Sequence, residues 1–263
     1  MIKGRGFKRI IIKLGSSVLI KDTGVVDRAA LKSLAKQISA LQKTRQIILV
    51  SSGAIGMGKI ATKIKKPHDI TEKQALAAVG QPLLMNEWRG VFRGYGVKVG
   101  QMLVTKTDLD YGKSEFRIRD TLLKLLELKV IPVINENDTV AVDEIKFGDN
   151  DMLSALVASK MDADLLIMLS DVEGLKDFKR GGSIVREVRN LSSGIRALAK
   201  NEKSAFGVGG FGAKIEAAGV TMKAGILTVI AKGSEKAVLL KIVKEINKEK
   251  KKTGTWFIPG KPV

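Results

Sequence analysis

The sequence predicts an α/β fold, a three-layer αβα sandwich around a mostly parallel central sheet. Three observations predict it. Short runs rich in Val, Ile and Leu alternate along the chain with longer segments of helical periodicity, and such alternation pairs strands in parallel through helical crossovers. Several of the strand runs are almost continuously apolar, without the polar alternation of a half-exposed sheet, as expected when helices cover both faces. Polar and glycine-rich strings then follow the strand runs, at the carboxyl ends where open α/β sheets bind ligands.

Strands are expected, in order, at residues 9–14 (RIIIKL), 46–51 (QIILVS), 97–105, 130–135 (VIPVIN), 164–170 (DLLIMLS) and 226–231 (ILTVIA). The helix at 27–43 lines up Leu31, Leu34, Ala35, Ile38 and Leu41 on one face, the stripe an amphipathic helix buries. Thr71-Glu-Lys-Gln74 has the spacing of a capping box and opens a long helix through Leu76, Leu83 and Leu84 to about residue 94. Further helices are expected at 114–129, 150–161, 213–224 and 235–250. The basic string KEINKEKKK at 244–252 reads as the solvated last turn of the final helix, where cations are favourable.

Composition narrows the function. With 263 residues and no cysteine, the chain can bury a sizeable core unaided, and thiolate metal sites and cysteine nucleophiles are excluded. His68 is the only histidine, which argues against a Ser-His-Asp triad or a multi-histidine metal centre. The net charge of +19 suits an anionic ligand or nucleic acid. Aromatic residues are only 5% and no nucleic-acid motif occurs, so nucleic-acid binding is disfavoured. No run approaches the ~18 apolar residues of a membrane span, and MIKGRGFKRIIIKLG lacks a signal-peptide core. The expectation is a soluble, cytoplasmic protein.

The motifs divide into five groups. Lys13-Leu-Gly-Ser-Ser17 ends a strand with a cation and backbone N–H groups suited to phosphate, or forms an ordinary strand-to-loop turn. Ser51-Ser-Gly-Ala-Ile-Gly-Met-Gly-Lys-Ile60 approaches the P-loop pattern, but Ile60 stands where a magnesium-binding hydroxyl is required. A P-loop is therefore rejected, and a glycine-rich loop open to a polar ligand remains. Gly207-Val-Gly-Gly-Phe-Gly-Ala-Lys214 fits G-x-G-x-x-G without a preceding strand or a following acid, so it is not a dinucleotide fingerprint. It reads as a mobile loop offering Lys214 to phosphates, or as a flexible surface loop. Asn135-Glu-Asn-Asp138 and Phe147-Gly-Asp-Asn-Asp151 gather carboxylates and amides at two loops. They suit a polar substrate or the ordering of lysines, although Asp and Asn also serve turns and caps. Ser170-Asp171 ends a further strand.

Together with YGVKVGQMLVT, LAAVGQ, RDTL, LSDVEGL and GTWF, these strings resemble the glutamate 5-kinases of the amino-acid kinase family across essentially the whole chain. The resemblance implies a single amino-acid kinase domain over residues 1–263, glutamate-binding in its N-terminal part and ATP-binding from about residue 165. It implies phosphorylation of the side-chain carboxylate of L-glutamate by ATP, the first step of proline biosynthesis. Lys13 and Lys214 would contact the transferring phosphoryl group and Asp151 would position them. Ser52, Asp138 and Asn150 would hold glutamate. Lys13, Ser170, Asp171, Val208, Gly209, Gly210, Phe211, Gly212, Ala213 and Lys214 would hold ATP. Magnesium would sit on the nucleotide phosphates with no protein ligand. L-Proline as an inhibitor and a homo-oligomer also follow, with residues 71–94 and 106–119 as contact regions.

The chain departs from that pattern in places. Family members read G-T-G-G-M-x-T-K where this chain carries Val208, Phe211 and Ala213, so two hydroxyls are absent. The stretch after LSDVEGL is shortened to KDFKRGGS. Many relatives continue into an RNA-binding-like PUA domain, expected to be missing because the sequence stops at Val263. Three alternatives stand beside this reading: another amino-acid kinase activity, such as one on N-acetylglutamate; a non-catalytic sensor of glutamate or proline; and a nucleic-acid binder.

Overall fold

A computed structural model of the chain describes residues 7–110, 112–141, 149–200 and 210–260. Strand β1 (Arg9–Leu14) leads through a single turn, α1 (Ser16–Leu19), to α2 (Arg28–Gln42) and β2 (Gln46–Ser51). Asp27 caps α2 by accepting the Ala30 N–H at 3.0 Å, and the predicted face of Leu31, Leu34, Ala35, Ile38 and Leu41 is buried. Helices α3 (Ala54–Thr62) and α4 (Ile70–Arg93) carry the chain to β3 (Lys98–Val104). Next come α5 (Lys106–Asp110), α6 (Gly112–Glu127), β4 (Val130–Glu136) and α7 (Asp149–Lys160). Beyond β5 (Leu165–Ser170) the shortened stretch folds as a hairpin, β6 (Lys176–Asp177) with β7 (Ser183–Ile184). The chain then forms β8 (Glu187–Val188), α8 (Ser193–Lys200), α9 (Phe211–Lys223), β9 (Leu227–Lys232), α10 (Val238–Glu245) and β10 (Thr255–Phe257).

The main sheet has the order β3-β4-β2-β1-β5-β9-β10-β8, and of these pairings only β9–β10 is antiparallel. Successive strand residues point to opposite faces, and the core divides accordingly. Ile10, Ile12, Leu14, Ile47, Leu49, Ile167 and Leu169 pack with α2, α4 and α10. Ile11, Ile48, Val50, Leu166 and Met168 pack with α7 and α9. This is the predicted αβα sandwich. β1 is its seam: β2, β3 and β4 lie to one side, and β5 with the later strands lies to the other. α7 is the crossover between the two sides, packed against β1.

Several local expectations are corrected. The cap of α4 lies two residues earlier than expected. Asp69 accepts the Glu72 N–H at 2.8 Å while Glu72 accepts the His68 N–H, and a carboxylate is the stronger N-cap. The final helix is shorter than predicted and ends at Glu245. Lys251 folds back onto the carbonyls of Glu245, Ile246 and Lys248, and Glu245 accepts the N–H groups of Lys252 and Thr253. Residues 54–62, expected as a glycine-rich loop, form α3. Its glycines serve packing: a Cβ on Gly58 would lie 1.9 Å from the Leu76 carbonyl oxygen, and one on Gly80 would lie 1.8 Å from that of Ala54. Only glycine lets these two helices approach so closely.

Candidate active site

The first turn of α7 presents two adjacent polar side chains to opposite sides of the seam. Asp151 turns toward β1 and α9. Lys13 Nζ lies 2.6 Å from its Oδ1, and Lys214 Nζ lies 3.0 Å from its Oδ2. Lys13 reaches this point because it is in register with Val50 and Met168, whose row faces α7 and α9. Lys214 comes from the first turn of α9. The three are almost inaccessible, at 6% for Lys13, 1% for Asp151 and 8% for Lys214.

Two cations on one anion leave this cluster with a net positive charge out of water. Burial, the largest influence, lowers the pKa of Lys13; Asp151 opposes that shift and Lys214 adds to it. For Asp151, burial alone would raise the pKa, but the two lysines together hold it below the usual carboxylate value. Such an arrangement accepts a multiply charged anion, which replaces lost hydration and balances the surplus cation.

Asn150 turns to the β2–β4 side. Its Nδ2 donates to Ser52 Oγ and to Asn135 Oδ1, both at 2.8 Å, and its Oδ1 accepts the Glu136 N–H at 3.3 Å. Asn135 Nδ2 then donates to Gln81 Oε1 of α4 at 2.8 Å. Ser51, beside Ser52, accepts from Trp88 Nε1 at 2.9 Å. Asp138 sits half-buried in the turn leaving β4.

On the other side of the seam, Ser170 ends β5 and its carbonyl accepts the Gly233 N–H at 2.8 Å. Asp171 follows, half-buried and near enough to favour the charged form of Lys13. Gly210 is the N-cap of α9 and supplies no capping side chain; the Ala213 N–H donates to the Gly210 carbonyl at 3.1 Å, and the N–H groups of Phe211 and Gly212 stand at the positive end of the helix dipole. Phe211 is 2% exposed and packs into the core. What Phe211, Gly212 and Ala213 offer a ligand is therefore backbone. Val208 and Gly209, with Phe147 and Gly148, lie outside the described residues.

The structure thus brings Lys13, Asp151 and Lys214 into direct contact, and joins Ser52 to Asn150. Gln81, Trp88 and the linking role of Asn135 escaped the sequence analysis. The available signal was Gln81 itself, a polar residue on the helical face of Ala77, Leu84 and Trp88. Among the described residues, no three His, Cys, Asp or Glu side chains gather as a metal site, and no helix is long and apolar enough to cross a membrane.

The sequence pattern of the amino acid kinase family matches residues 8–232. Glutamate 5-kinase of Shewanella pealeana is 42% identical over 96% of this chain and 68% of its own length. Glutamate 5-kinase of Clostridium acetobutylicum is 41% identical over 95% of this chain and 94% of its own length. Among solved structures, carbamate kinase from Giardia lamblia bound to AMP-PNP superposes with a TM-score of 0.66 at 17% identity. That match covers 96% of this chain and 99% of that one, and shows a shared fold.

Proposed function

The chain belongs to the amino acid kinase family, and from that premise we propose that it transfers the γ-phosphoryl group of ATP to the side-chain carboxylate of L-glutamate. The product is L-glutamyl 5-phosphate, and the reaction opens proline biosynthesis. The observation that carries the reading is Asp151 held between Lys13 and Lys214 at the seam of the sheet, in a chain about 40% identical to glutamate 5-kinases along almost its whole length.

The chemistry follows from charge and position. A glutamate side chain, with an ordinary pKa of about 4, is already a nucleophilic carboxylate at pH 7. No general base is needed. The barrier lies in bringing two anions into line and in stabilising charge on the transferring group. Lys13 and Lys214 would supply that stabilisation from both sides, with Asp151 fixing where their ammonium groups stand. The nucleotide would lie on the β5–β9 side, against Ser170, Asp171 and the glycine-rich string at 208–214. Glutamate would lie on the β2–β4 side. Ser52 and Asn150 would take the substrate's polar groups, and Asp138 its α-ammonium, a group an acetylated substrate lacks.

Magnesium enters this reading as part of the nucleotide substrate. Asp151 is taken up by two lysines, and the ion would be carried on the phosphates and would neutralise their charge there. A cytoplasmic setting, inhibition by L-proline and a homo-oligomer belong to the same proposal. Exposed Val79 and Leu83 on α4 support the last of these.

The test is magnesium-dependent ADP release with L-glutamate, N-acetyl-L-glutamate, L-aspartate or no acceptor. Release only with L-glutamate, abolished by Lys214→Ala, is the expected result. Preference for another acceptor would overturn the substrate, and no turnover with any would overturn the enzyme.

A further inference from the structure

We propose that Gln81 is a positioning residue for the acceptor site, orienting a chain of amides that ends on the hydroxyl of Ser52. The inference rests on the reading of Ser52 and Asn150 as acceptor-binding residues and extends it to α4.

The argument is one of hydrogen-bond direction. A backbone N–H can only donate, so the Glu136 amide fixes Asn150 Oδ1 as its acceptor. Asn150 must then present Nδ2, which donates to both Ser52 Oγ and Asn135 Oδ1. Asn135 is thereby turned so that its Nδ2 donates onward, and Gln81 Oε1 receives it. Ser52 Oγ is an acceptor within this chain, which leaves its own proton to donate to an anionic oxygen of the bound acceptor. Reversing any one amide would set two donors or two acceptors against each other.

The chain also crosses the layers of the fold. Gln81 stands on α4, below one face of the sheet, and Asn150 on α7, above the other. Asn135 connects them over the carboxyl end of β4. Gln81 is 7% exposed, and its Nε2 is buried without a partner among the described residues. An unpaired buried amide donor is costly, so only the acceptor half of this side chain is satisfied. The same helix serves Ser52 a second way. Trp88, two turns along, donates to Ser51, whose hydroxyl donates to the Ser52 carbonyl at 3.2 Å. Side chain and backbone of Ser52 are both tied to α4.

Two variants separate positioning from mere packing. Gln81→Met keeps the length and loses the acceptor; Gln81→Glu keeps an acceptor oxygen for Asn135. Gln81→Met is expected to raise the KM for L-glutamate about five- to tenfold, the worth of one lost hydrogen bond. The KM for ATP should move less than about twofold on the same scale, and Gln81→Glu should restore the KM for L-glutamate. In the free protein, NMR should show faster solvent exchange of the Asn135 and Asn150 side-chain amide protons in Gln81→Met and near-native exchange in Gln81→Glu. That readout requires no turnover, so it stands even if wild-type protein proves inactive on L-glutamate, a result that would overturn only the substrate. Unchanged exchange in Gln81→Met would overturn the positioning role. So would equal damage by both variants with a matching loss of thermal stability.

Discussion

Asp151→Asn should damage both folding and catalysis, and the structure sets the scale. The substitution keeps the shape of the side chain and deletes one charge. It leaves two ammonium groups, 6% and 8% exposed, facing each other across an amide. Removing one partner of a buried ion pair typically costs about 3–5 kcal/mol. For a chain of this size, where each kcal/mol is worth about 2–4 °C, the Tm should fall by roughly 10 °C. Lys13→Met is the informative contrast. It leaves the neutral pair Asp151–Lys214 and removes an ammonium that burial already disfavours, so its Tm should fall much less, while turnover should fall about a hundred- to thousandfold, as when a preorganised charge contact is lost. The pH dependence follows with a definite sign. In Asp151→Asn the native state binds fewer protons than the unfolded chain once a crowded lysine discharges. Its stability should therefore recover as pH rises from that lowered pKa toward the ordinary lysine value. Calorimetric Tm followed as pH is raised from neutral toward the ordinary lysine pKa of about 10.4 measures this. Equal Tm losses for Asp151→Asn and Lys13→Met, or a loss in Asp151→Asn that does not shrink with rising pH, would refute the charge argument.

Three further outcomes are expected. Gly80→Ala places a methyl 1.8 Å from the Ala54 carbonyl, so α3 and α4 must separate. A stability loss of about 1–3 kcal/mol or more should appear in urea denaturation, together with a raised KM for L-glutamate because α3 begins beside Ser52. Asp138→Ala should raise the KM for L-glutamate at least about tenfold, as loss of a charge-assisted contact does, and leave that for ATP unchanged; equal effects on both would remove Asp138 from the acceptor site. The alkaline limb of kcat/KM for ATP, which reports the free enzyme, should fall below the ordinary lysine pKa of about 10.4, because burial lowers that of Lys13. Lys13→Arg should move that limb upward, and a limb that stays in place would assign it elsewhere.

The strands at 9–14, 46–51, 130–136 and 165–170 were legible because a strand buried on both faces is written as an unbroken apolar run. β3 was legible as a strand but differs in kind: at the edge of the sheet it exposes Lys98, Gln101 and Leu103. β10 has three residues and an antiparallel partner, too short to carry a period. α3 was hidden because its glycines oppose helix formation locally, and the helix exists through its contact with α4. In the site, Lys13, Asp151 and Lys214 were recognisable from their strings. Their shared burial was not, since it depends on β1, α7 and α9 meeting at one point. Gln81 carried only the weak mark of a polar residue on a buried helical face, and its partner Asn135 lies 54 residues away.

The most direct test of the central claim is to trap the product. Protein supplied with magnesium, ATP and L-glutamate in the presence of hydroxylamine should form γ-glutamyl hydroxamate in step with ADP, because an acyl phosphate reacts with that nucleophile. Lys214→Ala should form neither. ADP release without hydroxamate, or hydroxamate formed preferentially from N-acetyl-L-glutamate, would contradict the assignment of the L-glutamate side-chain carboxylate as the acceptor.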